Sequence, residues 1–186
     1  MSEIIKSILN RSSEPKLAEP APDAAVLEEA FACAARAPDH ALLRPWRYLV
    51  IEGEGLDALG RVFERAADSS DPLAPKAEKL RKMPHRAPMI IIGIARHQDH
   101  PKVPAIEETL STGCGMAFLM LALEARGFSA MWRTGPVAYH PAVREGLGLE
   151  DNESITGFLY VGTPTVNKPT ISPAEPKDFV AHWPSA

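Results

Sequence analysis

The stretch Pro88-Met89-Ile90-Ile91-Ile92-Gly93-Ile94-Ala95 decides the fold. It is a continuous apolar run, rich in β-branched residues, with no polar position alternating in it. Such a run reads as a strand buried on both faces, so it needs cover above and below. The best covering element is the longest helix, Ile106 to Arg126, ending at Gly127 in the C′ position. Its middle (Cys114, Met116, Phe118, Leu119, Met120, Leu121) is apolar nearly all round, which places it in the centre of the fold or of a dimer. Further strands are expected at Trp46 to Glu52, Phe128 to Arg133 and Ile155 to Val161, the last closed by Gly162 and Pro164. Asp23 is a good N-cap, behind Pro22, for a helix reaching Arg36 with Leu27, Ala30, Phe31 and Ala34 in phase. Helical periods recur over Leu56 to Ala67, Lys76 to Arg81 and Pro141 to Leu147, with loops at Asp68 to Pro75 and His97 to Pro104. Met1 to Asn10 reads as a short amphipathic helix with Ile4, Ile5, Ile8 and Leu9 on one side. The proline-rich tail from Pro164 onward is expected to be extended and to wrap something. This alternation indicates an α+β or three-layer architecture, helices covering a central sheet. No repeat or linker divides it, so 1–186 reads as a single domain.

Composition narrows the function. A chain of 186 residues can bury a real core without staples. The net charge of −4, with cations spread along the chain, argues against general nucleic-acid affinity. Cys33 and Cys114 match no motif spacing, which argues against a disulfide framework and a structural zinc site. Both lie among small apolar residues, where buried free thiols are common. The N-terminus is too short and too charged for a signal peptide. No apolar run in the sequence approaches the roughly 20 residues of a membrane span. A cytoplasmic protein is the expectation.

Three constellations suit an anionic, planar ligand. In Arg11-Ser12-Ser13, followed by Lys16, a helix end gives way to hydroxyls flanked by cations, a set that fits a phosphate. The plainer reading is a solvated helix end. Arg36-Ala37-Pro38-Asp39-His40 offers a cation and a ring N–H for a ribityl or phosphate oxygen; the alternative is a turn histidine satisfied by Asp39 or backbone. Arg44-Pro45-Trp46 then opens a strand. Trp132-Arg133-Thr134-Gly135 ends a strand in an indole, a cation and a hydroxyl, a position active sites often use, or else a strand cap with a surface arginine. His97-x-x-His100 has half the ligands of a metal site and reads better as a polar loop, so no metal is expected. Ser111-Thr112-Gly113-Cys114-Gly115 is small-residue packing, or a place where a flat ring approaches the backbone. There is no P-loop, no Gly-x-Ser-x-Gly and no Gly-x-Gly-x-x-Gly.

These pieces, in this order, resemble the nitroreductase family, in particular its minimal NAD(P)H nitroreductases. The likeness covers almost the whole chain. It includes Leu17 to Pro22, Arg36-Ala37-Pro38-Asp39-His40, Pro45-Trp46, Ile51 to Gly55, Arg86-Ala87-Pro88, Lys102-Val103-Pro104, Trp132-Arg133 and Gly157-Phe158-Leu159-Tyr160. Three departures stand out: the usual Arg-Arg-Ser is Arg11-Ser12-Ser13, a following Arg is Lys16, and the Gln before Pro-Trp is Arg44. Lys16 keeps charge but loses the bidentate fork.

The resemblance implies a nitroreductase-like three-layer α+β fold: a central, mainly antiparallel sheet flanked by helices, with a long buried central helix. It implies an FMN-dependent oxidoreductase, a homodimer with each flavin at the subunit interface. NAD(P)H would be the co-substrate, and nitroaromatic or quinone-like acceptors would be reduced by ping-pong hydride transfer. Carried over by position, Arg11, Ser12, Ser13, Arg36, His40, Trp132, Arg133 and Thr134 would contact FMN. Ala122, Leu123, Glu124, Ala125, Arg126 and Gly127 would meet the nicotinamide cofactor. The chemistry would be flavin-borne, with no side chain acting as a dedicated acid or base. A non-catalytic flavin-binding or flavin-carrier module is the alternative.

Overall fold

The structure, a computed structural model, describes residues 1–68, 70, 74–166 and 174–184. Its elements in chain order are α1 (Glu3–Asn10), β1 (Leu17–Ala18), α2 (Ala24–Ala34), β2 (Trp46–Glu52), α3 (Glu54–Glu64), α4 (Ala77–Lys82), β3 (Met89–Arg96), α5 (Ala105–Ala125), β4 (Ser129–Arg133), α6 (Pro141–Gly146) and β5 (Glu153–Pro164). Parts of the expected Asp68 to Pro75 loop and of the proline-rich tail lie outside the described residues.

β3 is the strand the apolar run demanded. Every residue from Met89 to Ala95 is buried, and β2 and β5 pair antiparallel on its two sides. β5 also pairs antiparallel with β4 and β1, so every pairing in the five-stranded sheet is antiparallel. Strand alternation sorts the side chains onto two faces. Ile90, Ile92 and Ile94 join Phe158 and Tyr160 in a core with Leu56, Leu59 and Phe63 of α3. Met89 and Ile91 join Leu159 and Val161 in a second core with Met116, Leu119 and Leu123 of α5 and Ala30 and Ala34 of α2. The result is an α+β fold, an antiparallel sheet flanked by helices with one long central helix.

Local chemistry sets the helix ends. Asp23 Oδ1 accepts the Val26 N–H at 2.9 Å, capping α2. Arg126 ends α5, and Gly127 at φ +86° lets the chain reverse. The N–H groups of Gly127 and Phe128 donate to the carbonyls of Glu124 and Leu123, both at 3.0 Å, which closes the helix in a Schellman motif.

Three expectations need correction. α5 is buried along one stripe and not all round: Ser111, Thr112, Gly115, Met116, Leu119, Met120 and Leu123 face inward, while Ile106 is 61% and Leu110 60% exposed. An apolar composition says that a helix wants cover on both sides, not that one chain supplies it. At 21 residues α5 also reaches the length and hydropathy of a membrane span, contrary to the reading that no apolar run does; its inner stripe packs on the sheet. Finally, Cys33 and Cys114 are exposed. Each sits one helical step off a buried position (Ala34 and Gly115), and about 100° of rotation per residue turns it outward.

Candidate functional site

Two of the three constellations are adjacent. α1 ends at Asn10, and Arg11 leaves the helix at φ −55°, ψ 127°. The chain then runs beside β4, where the Glu14 N–H donates to the Ala130 carbonyl at 3.1 Å. Arg11 and Ser13 are exposed there and Ser12 is half-buried. Ser12 lines a polar hollow of about 430 Å³ with Lys6, Asn10, Glu124, Gly127 and Ser129. Trp132, Arg133 and Thr134 follow along β4, and Gly135 at φ +77° turns the chain away.

Period-2 alternation splits that last trio. Trp132 lies on the α5 face, its indole covering Gly157, with Cη2 3.7 Å from the position a side chain would take at Gly113. A larger residue at Gly157 would collide with the ring, so the glycine is what lets the indole lie flat on β5. Arg133 lies on the opposite face, its guanidinium carbon 5.6 Å from the centroid of the Tyr160 ring. Its Nε is buried and has no hydrogen-bond partner among the described residues. A buried donor without an acceptor is costly, and an anionic ligand oxygen is a group that would satisfy it. The exposed guanidinium of Arg11 and the hydroxyls of Ser12 and Ser13 lie on the segment that runs beside β4, and donors of these kinds suit the phosphate and ribityl oxygens of a flavin mononucleotide.

The third constellation is elsewhere. Arg36 is exposed just beyond α2. His40 opens a 3₁₀ turn, and its Nδ1 lies 2.7 Å from Glu107 Oε2, in the first turn of α5. The Arg44 N–H donates to Asp39 Oδ2 at 2.7 Å, closing the loop. That loop holds Ala41, Leu42 and Arg44 at φ +62°, +54° and +49°, strained values for residues with a Cβ. So Ser12 sits by the C-terminal end of α5 and His40 by its N-terminal end. From Glu107 to Glu124 the helix rises roughly 25 Å at 1.5 Å per residue.

The stretch Ala122 to Gly127 is the last turn of α5. Leu123 is buried in the core, and the Arg126 guanidinium is paired with Glu29 of α2. Ala122 and Ala125 instead line an apolar hollow of about 430 Å³ with Ile4, Ile8, Cys33 and Phe118.

Several partners escaped sequence reading. Glu107 is one; nothing local marks it as the partner of a histidine 67 positions earlier. Glu108 is another. It is 1% exposed, accepts the Gln98 N–H at 3.0 Å and lies 3.4 Å from His97 Nδ1, while His97 Nε2 meets Ser154 Oγ at 2.9 Å. His97 is thus a pin between the loop, α5 and β5, and no metal-binding cluster exists among the described residues. Glu153, 3% exposed, is gripped by Arg47 through two bonds of 2.6 Å. That pairing holds the carboxyl of Glu153 below the usual carboxylate range, with burial opposing it. The Tyr48 hydroxyl is buried without a hydrogen-bond partner among the described residues, and burial pushes its pKa up to about 12. The close approaches at Gly113 and Gly115 are made by Trp132 and Tyr48, rings of the protein itself.

A family model described as "Nitroreductase family" matches residues 8–163. The Escherichia coli (strain K12) protein named "Putative NAD(P)H nitroreductase YdjA" is 37% identical over 182 residues, covering 97% of this chain and 100% of the relative. A Haemophilus influenzae relative with the same designation, without the final word, is 36% identical over 157 residues, 84% of this chain and 85% of its own. Among solved structures, a nitroreductase-like family protein from Bacillus cereus superposes with a TM-score of 0.86 at 21% identity, covering 100% of this chain and 98% of the other. An "FMN and NADPH-dependent nitroreductase NfnB" from Sphigopyxis sp. strain HMH gives a TM-score of 0.75 at 16% identity, covering 97% and 99%. At these identities the structures speak for the fold.

Proposed function

The chain belongs to the nitroreductase family, and we propose that it is an FMN-dependent oxidoreductase. In this reading it takes hydride from NAD(P)H and passes it to nitroaromatic or quinone-like acceptors in two half-reactions. It acts in the cytoplasm as a homodimer, the whole chain 1–186 forming one unit with FMN between subunits.

One observation carries the reading: the residues proposed to hold FMN lie at opposite ends of α5. Arg11, Ser12 and Ser13 are at one end, and His40 is at the other, tied to Glu107. A separation of roughly 25 Å along the helix is more than one flavin mononucleotide reaches. A second copy laid antiparallel along α5 removes the difficulty. It would bring His40 of the partner subunit, with Arg36 four residues before it, toward Arg11 and Ser12 of the first. The exposed apolar residues of α5, Ile106, Leu110 and Phe118, lie along that path. Exposed apolar surface of this kind marks an interaction face.

Bound FMN would supply the hydride chemistry; the protein's task is position and electrostatics. Arg11 offers a guanidinium and Ser12 and Ser13 offer hydroxyls to the phosphate and ribityl oxygens. Arg133 offers its unpartnered Nε and places a positive charge beside the same ligand. Trp132 braces β4 against β5 and α5 and so fixes where Arg133 and Thr134 stand. Glu107 orients His40 by holding Nδ1, leaving Nε2 to face the ligand.

The test is an absorbance spectrum of the purified protein under anaerobic conditions, before and after NADH or NADPH. Flavin absorbance that bleaches with either nucleotide supports the reading. Flavin that stays oxidised with both would favour the carrier module instead.

A further inference from the structure

The loop that carries His40 also holds a cation to which the mechanism above gives no task. Between α2 and β2 the chain turns back on itself. The Leu42 N–H donates to the Asp39 carbonyl at 3.4 Å, and the Arg44 N–H donates to Asp39 Oδ2 at 2.7 Å. Ala41, Leu42 and Arg44 in that turn have φ values of +62°, +54° and +49°. Residues with a Cβ keep such values only where their surroundings fix them, and here they do. Gln98 Nε2 donates to the Leu43 carbonyl at 2.8 Å. The Pro45 carbonyl accepts from Thr112 Oγ1 at 3.0 Å and from the Arg96 N–H at 2.8 Å. The backbone is therefore tied just before, at and just after Arg44.

The guanidinium of Arg44 is not tied. Arg44 is exposed and makes no ion pair among the described residues. The carboxylates of its neighbourhood are engaged elsewhere: Asp39 with the Arg44 N–H, Glu107 with His40, and Glu108 with the Gln98 N–H and His97. Leu42, 77% exposed, stands in the same turn. A rigid, strained loop thus presents an apolar side chain and an unpaired cation together. The bond from Arg44 to Asp39 sets both beside His40, the residue of this loop proposed to face the flavin.

We propose that Arg44 makes the flavin site select planar electron acceptors that carry a carboxylate. Leu42 offers apolar contact to the ring of the acceptor, and the planar guanidinium fork of Arg44 matches the two carboxylate oxygens. A neutral acceptor of the same shape leaves that fork without a partner. The arginine acts on binding and adds no chemical step. The inference rests on the oxidoreductase reading and on His40 facing the flavin. Arg44 is exposed, so the selection weakens as salt is added.

The test compares para-nitrobenzoate with para-nitrobenzamide, its neutral counterpart, as acceptors for FMN-loaded protein. The ratio of their kcat/KM values should fall about fivefold in Arg44→Gln, the effect of one exposed charge pair, with the loss in KM. Arg44→Lys should keep part of the ratio, and the parent's ratio should shrink as ionic strength rises. A ratio unmoved in Arg44→Gln would overturn the proposal. Arg44→Gly separates binding from folding, because glycine takes a positive φ without strain. It should melt as high as the parent and still lose the ratio; a lower melt with the ratio intact would mean that Arg44 serves the fold alone, and the proposal would fail. Titration of benzoate into the oxidised protein, followed by the flavin spectrum, needs no turnover. Weaker binding in Arg44→Gln is expected, and equal binding in parent and variant would count against the proposal as decisively. Flavin that bleaches with a reduced nucleotide while the acceptor ratio ignores Arg44 sinks this proposal and leaves the oxidoreductase reading standing. Flavin that never bleaches sinks both.

Discussion

Gly157→Ala should destabilise the protein through one contact. The methyl would overlap Trp132 Nε1 and lie 2.8 Å from Cδ1 and 2.9 Å from Cε2 of the same indole. Backbone β5 cannot retreat, since Gly157 pairs with Gly93 of the central strand. The ring must therefore lift off the sheet, and a displaced indole loses its contact with α5. Overpacking of this kind costs about 1–3 kcal/mol. For a chain of this size that is a drop in Tm of roughly 2–4 °C per kcal/mol. Gly113→Ala is the matched control. Its methyl would sit 3.7 Å from Trp132 Cη2 and 4.0 Å from Thr156 Cγ2, ordinary contact. In a helix interior the change should stabilise by about 0.5–1 kcal/mol. Urea denaturation of the two variants reads both signs. Gly157→Ala as stable as the parent would show that the indole is not seated on β5, and with it the argument for Trp132 as a brace of β4 would go.

Tyr48→Phe removes a buried hydroxyl that has no hydrogen-bond partner among the described residues. It should be neutral or stabilising by up to about 1 kcal/mol, and a loss would mean the hydroxyl has an acceptor. The same change bears on alkaline stability. Tyr48 has its folded pKa raised from 10.0 to about 12, so the folded state holds the proton longer than the unfolded one. Its contribution is whole below pH 10 and is lost as pH rises toward about 12; thermal melts of Tyr48→Phe should lose part of that decline. Glu153→Gln breaks the twofold grip of Arg47 and should cost about 2–3 kcal/mol at pH 7. The folded pKa of Glu153 is lowered from 4.5, so its contribution is present above that value and fades as pH falls through the lower folded one. The acid limb of stability against pH should flatten in the variant, and an unchanged limb would contradict the pairing. Arg133→Ala should weaken FMN binding by about 1.5–3 kcal/mol in a fluorescence titration, and unchanged affinity would remove Arg133 from the site.

Much of the fold was legible because local chemistry wrote it. The Met89 to Ala95 run, the Asp23 cap and the Gly127 terminus each depend on neighbours within a turn or two, and the structure has all three. β1 was not legible: Leu17 and Ala18 become a strand by pairing with Pro164 and Thr163, far along the chain. The one-sided burial of α5 was hidden as well, since apolar residues on all sides do not reveal which side its own sheet covers. In the candidate site, the stretches to inspect could be read, but their mutual placement could not. Arg133 turning away from Trp132 follows from strand alternation and could have been foreseen. The tie between His40 and Glu107 could not, because it closes a gap of 67 residues through space.

The central claim is that each flavin is held by two chains, Arg11 from one and Arg36 with His40 from the other. Subunit complementation tests it most directly. Arg11→Ala and the Arg36→Ala/His40→Ala double variant are made with different affinity tags, co-expressed, and the mixed dimer is isolated by both tags. With sites built across the interface, the mixed dimer has one intact site and one doubly damaged site. It should retain about half the FMN of the parent protein, while each variant alone retains little. A mixed dimer as poor in flavin as the two variants would mean that each site lies within one chain, and the account would be wrong.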